Sequence, residues 1–563
     1  MTPAFASPHE GSPSELAGQP ALDPDELQAY VAPTARAILL HALLVGVAAD
    51  LLLRDGFTGL GFPLWLAILA LNALALVWRD GRQVPRETAA WLGLAILWGG
   101  SMAWRGSGSL QLLDFFATLF CLGMAAVSLG DPRTALLAER MRDTIWAGGR
   151  VIRSVIVGVL PLAFRDAALP AAFSPLRGRF HPALRATLIA LPLVLVFGAL
   201  LRGADPIFAS VVALPDFDLG TLLSHVVVIG FFAWVTAGWA RSAILTGPPA
   251  PRLPEQLPFS LGALDVSVAL GALNVLFAAY VLTQMGWFFG GERFLQSQTG
   301  LTAAQYARQG FFQMVWVVLL VVPVLLATRA ALRPEPALTR RHTALALPLL
   351  ALLGVMIVSA VLRLRLYVQY YGLTLDRFYP LVFMGWLAIV LAWLALTVLR
   401  GRGRPFAAGA VASGLAILLM LDVVVPDVIV ARVNVARAAA PANGSVGLDL
   451  AHLASLGAEA IPITVAAVLA AAPTAIVADV DSSAELARCR AARRLLTQWG
   501  PTSRAQIASA DEWRRWNRGE AMAVRTVGEN AAALRVVQHE ACGRVRAARV
   551  ARLEPRAIGT GGR

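Results

Sequence analysis

Few side chains in this sequence have chemistry beyond filling space in a membrane, and those few stand at the ends of long apolar blocks. Gln284, Arg363, Tyr367 and Asp422 lie near the ends of three such blocks, with Glu292 and Asp427 just beyond. A guanidinium facing carboxylates and a phenol at membrane depth makes an ion-pair or anion-binding pocket, because a charge there is costly unless it meets protein or water. The bland alternative is interfacial snorkelling of Arg363 and Arg365 beside an aromatic belt. Two residues apart on a helix, these arginines point about 200° apart, so only one can face a bundle, and Arg363 is the expected one. His41, Asp50 and His225 fall inside apolar blocks, where a proton relay or a single satisfying hydrogen bond is expected, and Asp114 and Asn274 read as singly satisfied. No catalytic motif, phosphate-binding loop or metal-spaced cluster of His and Cys is present, so no enzyme activity, cofactor or metal is implied.

The elements that must position these residues are membrane helices. Of the 563 residues, 57% are hydrophobic and only 15% charged, against about 25% charged in soluble proteins. The apolar residues come in runs that reach the roughly 18 residues needed to cross a bilayer as a helix. Eleven such runs are expected as spans: Ala35–Leu53, Phe57–Trp78, Ala89–Trp104, Leu110–Leu129, Ala183–Leu201, Phe217–Ala240, Gly262–Phe289, Phe311–Ala331, Thr343–Leu362, Thr374–Leu399 and Phe406–Val425. Residues 131–182 form an amphipathic segment flanked by arginines, expected as an interfacial helix or as a re-entrant turn over Val155–Phe164. The predicted fold is therefore an all-α polytopic transmembrane bundle over 35–425, behind an acidic, disordered tail (1–34) and ahead of a mainly helical extramembrane domain (426–563).

Arginine placement orients this bundle. The net charge is +13, and all the basic residues are arginine. With the N-terminus inside, 22 arginines fall in inner loops and 8 in outer ones, with 18 more beyond Val425. That asymmetry predicts a cytoplasmic N-terminus and, with an odd number of spans, a periplasmic C-terminal domain in a bacterial inner membrane. The positive charge is thus topological, and no nucleic-acid partner is implied; lipid is the expected surround, with a protein partner left open. A competing reading makes Ile461–Ala478 a twelfth span and returns the tail to the cytoplasm. In an oxidising periplasm Cys489 and Cys542 are expected to form a disulfide, while Cys121 is expected as a buried apolar residue.

Four local patterns stand out. They are Gln284–Gly291 followed by Thr302–Phe312 (with Tyr306, Arg308 and Gly310), then Arg363–Tyr367 with Tyr371-Gly372-Leu373-Thr374 and Arg377. Next come Pro426-Asp427 with Asn434 and Ala458-Glu459-Ala460-Ile461-Pro462, and last Trp513-Arg514-Arg515-Trp516-Asn517. In this order they resemble, over roughly 185–530, the bacterial membrane-protein family called domain of unknown function 4173 and its relative 4153. Trp287, Phe288, Val433 and Glu459 depart from the family pattern, where Tyr, Leu, Tyr and Asp are usual. The resemblance implies architecture and no activity. Two functional classes remain open: a transporter- or channel-like bundle, and a signalling or assembly protein that reads the periplasm through its C-terminal domain.

Overall fold

The computed structural model describes residues 24–54, 56–130, 141–168, 219–245, 260–299, 311–403, 405–439, 447–473, 483–501 and 510–553, with single positions 190, 194, 197 and 201. Among them the chain is helical and forms no β-strand. The first helices are α1 (Pro24–Leu53), α2 (Gly61–Arg79), α3 (Arg86–Trp104), α4 (Gly108–Gly130) and α5 (Met141–Val157). They are followed by α6 (Leu219–Ile244), α7 (Ala263–Thr299), α8 (Phe311–Ala330), α9 (Pro336–Tyr371), α10 (Leu375–Leu396) and α11 (Pro405–Val424).

Ten of the eleven expected spans are helices; Ala183–Leu201 lies outside the described residues save for four positions. Eight helices among the described residues are long and apolar enough to cross a membrane. These are α1, α2, α4, α6, α7, α9, α10 and α11 over most or all of their lengths. The expected third span, α3, carries Arg86 and Glu87 in its first turn and is not one of the eight. The described apolar part of α8 is only Leu319–Ala330.

Two boundaries differ from expectation. Helix α1 is already helical at Pro24, the first described residue, inside the stretch expected as disordered. Helix α9 runs for 36 residues, about 54 Å, so Arg363, Arg365 and Tyr367 ride on its extension past the apolar core. The amphipathic segment is bent by 64° between Thr144–Val157 and Val159–Asp166, a broken span or re-entrant turn.

Internal contacts divide the chain into two compact units. One comprises residues 1–51, 68–84 and 149–247, the other residues 52–67, 85–148 and 248–563. In the first unit, α6 meets α1 and the bent segment at small residues. A Cβ on Gly46 would lie 2.5 Å from the Ile229 carbonyl, and one on Gly238 2.5 Å from the Ser154 carbonyl. Such close approach is the usual means of packing helices in lipid, where apolar burial drives nothing.

In the second unit, α3 and α4 form a hairpin through residues 105–107, with Trp98, Ala117 and Cys121 buried against Leu415 and Leu418 of α11. Helices α7 to α10 share a core of Leu270, Leu325, Leu349, Leu353, Leu387 and Leu394. The chain then leaves α11 through Val425, at φ 56°, and continues as α12 (Pro426–Ala439). A β-branched residue in the left-handed region is a genuine outlier.

The C-terminal domain packs α12 with α13 (Ile461–Ala470), α14 (Ala484–Trp499), α15 (Arg518–Glu529) and α16 (Ala531–Leu553) around Val430, Leu453, Ile461, Leu495, Val527 and Leu534. Helix α13 has ten residues, about 15 Å, half the hydrocarbon thickness. It is a core helix of this domain and too short to be a twelfth span. Helices α14 and α16 are joined by a Cys489–Cys542 disulfide with Cα atoms 5.0 Å apart.

Candidate functional site

The buried polar side chains of the second unit gather where the α3–α4 turn, the end of α11 and the C-terminal domain meet. Helix α4 presents Gln111, Asp114, Thr118 and Cys121 at intervals of three and four residues, and all four are buried. This polar stripe inside an apolar run turns Asp114 toward α3 and α11. There Ser101 Oγ lies 2.8 Å from Asp114 Oδ2 and 2.6 Å from Asp422 Oδ1. Three helices thus bring two carboxyls to one hydroxyl. A hydroxyl carries one proton and serves one of these contacts as donor, so the other is closed by the proton of a carboxylic acid.

Around this pair the turn and the C-terminal domain interlock. The Gly106 N–H donates to Glu459 Oε1 at 2.6 Å, and the Gly457 N–H donates to Asp427 Oδ1 at 2.7 Å. Asn517 Nδ2 donates to the Met102 and Arg105 carbonyls at 2.9 and 2.8 Å. Its Oδ1 accepts from the Glu520 N–H at 3.1 Å, capping α15. Only glycine fits at 519, where a Cβ would sit 2.6 Å from Glu459 Oε1 and 2.8 Å from the Gly106 nitrogen. Asp427, Glu459 and Asn517 are each at least nine-tenths buried. Burial pushes the Glu459 carboxyl above its ordinary value, against the opposing Gly106 N–H, and Glu520 is raised by burial likewise, opposed by Arg515.

A second joint holds the turn between α9 and α10. Gly372 adopts φ 82°, which favours glycine, and a Cβ there would stand 2.6 Å from Asn434 Oδ1. Asn434, from α12, accepts from the Leu373 N–H at 2.9 Å and donates to the Leu373 carbonyl at 2.7 Å. Arg377 donates to the Gly372 carbonyl, and its guanidinium lies 4.1 Å from the centroid of Tyr367, which packs on Tyr371. Thr374 precedes α10 without a side-chain cap bond.

The residues expected to form an outer pocket are distributed differently. Arg363 is buried and Arg365 exposed. Asp422 meets Ser101 together with Asp114, and Asp427 meets the Gly457 N–H, because the end of α11 is seated against the α3–α4 hairpin and the C-terminal domain. Tyr367 belongs to the α9–α10 joint. The side chains of Gln284 and Glu292, and all of Tyr306, Arg308 and Gly310, lie outside the described residues. Trp513 is half exposed and Asn517 buried.

Sequence reading missed Ser101, and it treated Asp114 as singly satisfied. In the first unit, His225 Nδ1 lies 2.5 Å from Asp50 Oδ2 and His41 Nδ1 2.8 Å from Asn72 Oδ1. No three acids, histidines or cysteines among the described residues are grouped to hold a metal ion.

No curated protein and no solved structure matches the chain. A family model does match: that of 4153, the relative in the resemblance above. The match runs from α3 into α13, so it takes in Ser101, Asp114, Asp422, Asp427 and Glu459 and stops short of Asn517 and the disulfide. This multi-pass membrane protein accordingly belongs to the family described as domain of unknown function 4153, whose match covers residues 92–467.

Proposed function

We propose that the protein is a transporter-like bundle of a bacterial inner membrane that binds protons at the Asp114–Ser101–Asp422 centre. The N-terminus lies in the cytoplasm and the C-terminal domain in the periplasm. The observation that carries the reading is the pair of buried carboxyls from two spans meeting one half-buried serine hydroxyl on a third helix. Two such carboxyls cannot both be ionised without large cost at this depth, so the site exchanges protons when the bundle rearranges. Intramembrane acids that face the bundle interior are the common device of proton-linked transport.

The orientation is supported by the 22-to-8 arginine asymmetry, and the Cys489–Cys542 disulfide fits an oxidising compartment. A reporter active only outside the cytoplasm, fused after Arg563, is expected to be active, and one fused at Arg82 silent. The proton site is tested in reconstituted vesicles by infrared difference spectroscopy across an acid jump. Wild-type protein is expected to show a protonated-carboxyl band that Asp114→Asn and Asp422→Asn each diminish. A wild-type spectrum that neither substitution changes overturns the reading.

A second reading, a signalling or assembly protein, is favoured by the exposure of Trp513 and Trp516 on the C-terminal domain. Periplasmic crosslinking from position 513 to a specific protein, without proton uptake by the bundle, decides for it.

A further inference from the structure

The carboxyl centre between the spans is continued outward by acids of the C-terminal domain. Facing Glu459 are Arg105 and the Gly106 N–H from the α3–α4 turn, Asp427 from α12 and Glu520 from α15. Facing Asp427 are the Gly457 N–H and Tyr379 of α10. The Tyr379 hydroxyl is buried and stands within electrostatic reach of Asp427, Asp114 and Asp422. Five carboxyls thus follow one another from Glu520, half-buried at the rim, to Asp114, fully buried between spans. The cations beside them are Arg105 and the exposed Arg515.

This excess of buried acid over base needs positive charge, since uncompensated buried carboxylates are strongly unfavourable. Two observations favour protons as that charge. The acids are strung out and not gathered about a point that would hold a metal ion. Moreover, Asp427 Oδ2 and Glu459 Oε2 are buried and take no hydrogen-bond donor among the described residues, so each leaves a lone pair unclaimed.

We infer that the C-terminal domain forms the outer proton port of the bundle, with Glu459 and Asp427 passing protons between the outer solution and the Asp114–Asp422 pair. The inference rests on the proposed proton site. In each step a carboxylic acid gives up H+ and keeps the electron pair as carboxylate, while the next group gains the proton. The hydroxyl of Tyr379, which faces Asp427, Asp114 and Asp422 together, accepts a proton on oxygen and releases its own, so no charge accumulates on it. The domain is placed to do this because Asn517 and Gly519 lock it onto the α3–α4 turn, keeping Glu459 at the Gly106 N–H.

The test measures how fast the protonated-carboxyl band of the Asp114–Asp422 pair develops after an acid jump on the domain side of oriented vesicles. Glu459→Gln keeps an oxygen for the Gly106 N–H and cannot relay, so it is expected to slow the band at least tenfold while leaving its final size. Asp427→Asn and Tyr379→Phe are expected to slow it as well. These two give the result independently if one substituted protein fails to fold. Wild-type rates in all the folded variants overturn the port. In that outcome the band persists and remains sensitive to Asp114→Asn, so the proton site stands; if wild type has no such band, the proton site itself falls.

Discussion

Asn517 ties the C-terminal domain to the bundle through one amide, and replacing it isolates that tie. Its Nδ2 bonds the Met102 and Arg105 carbonyls, and its Oδ1 caps α15. Asn517→Ala removes a cap worth about 1 kcal/mol and two hydrogen bonds worth roughly 1 kcal/mol each. Neither carbonyl is orphaned, because Gln111 Nε2 also donates to both, at 3.3 and 2.6 Å. Only the two bonds across the joint enter the docking equilibrium, about 2 kcal/mol or roughly thirtyfold, with no added desolvation penalty; the lost cap weakens α15 itself. Asn517→Asp is expected to be worse, although it keeps the cap, because it sets a carboxylate against two carbonyl oxygens. The assay is native-state proteolysis at the 105–107 turn in detergent, with global unfolding followed separately. An aspartate variant as resistant as wild type, or more resistant than the alanine variant, would show that position 517 does not present its amide to these carbonyls and would refute the reasoning.

Three further outcomes are expected. Cys489→Ser opens a loop whose ends are 53 residues apart, costing about 4 kcal/mol by chain entropy; unreduced protein should show one thiol accessible under denaturant, Cys121, and reduced protein three, by mass after alkylation. Asn434→Ala leaves the Leu373 N–H and carbonyl without their partners, for about 3 kcal/mol, and should shift denaturation while Arg365→Ala, at an exposed position, does not. Docking of the C-terminal domain should weaken as pH rises above the ordinary glutamate value of 4.5. Glu459 and Glu520 have folded values raised by burial, so the native state binds more protons than the unfolded one and loses stability as they ionise. Glu459→Gln and Glu520→Gln should flatten that slope in denaturation midpoints measured from pH 4 upward.

The membrane helices were legible because lipid imposes a coarse rule on composition, and a run such as Leu110–Leu129 admits no other reading. Helix ends were less legible. The rule stops at the first charge, whereas backbone hydrogen bonding carries α9 on through Arg363 and Arg365 to Tyr371. That Arg363 and Arg365 differ in burial follows from helical geometry; which of them is buried is set by the packing of α9. The short α13 was ambiguous because its composition suits both a domain core and a lipid span, and only its length, set by the break after Ala470, separates the two.

The carboxyl centre was not legible, for a reason that lies in chain separation. Ser101 and Asp422 are 321 residues apart, Gly106 and Glu459 353, and Asn517 and Met102 415. A single sequence marks each as a polar residue near a span end and contains nothing to pair them. The local sign that was present, Gln111, Asp114 and Thr118 on one stripe of α4, identifies a bundle-facing side without naming its partner. Asp422 and Asp427 gain their meaning from the residue between them. Val425 holds a left-handed conformation that a β-branched side chain resists, and it persists because each side of the joint is pinned, Asp422 on Ser101 and Asp427 on the Gly457 N–H. Both pins are carboxyls in the same buried cluster. The strained joint and the seating of the C-terminal domain on the α3–α4 turn therefore depend on the same two side chains, and replacing either one releases both.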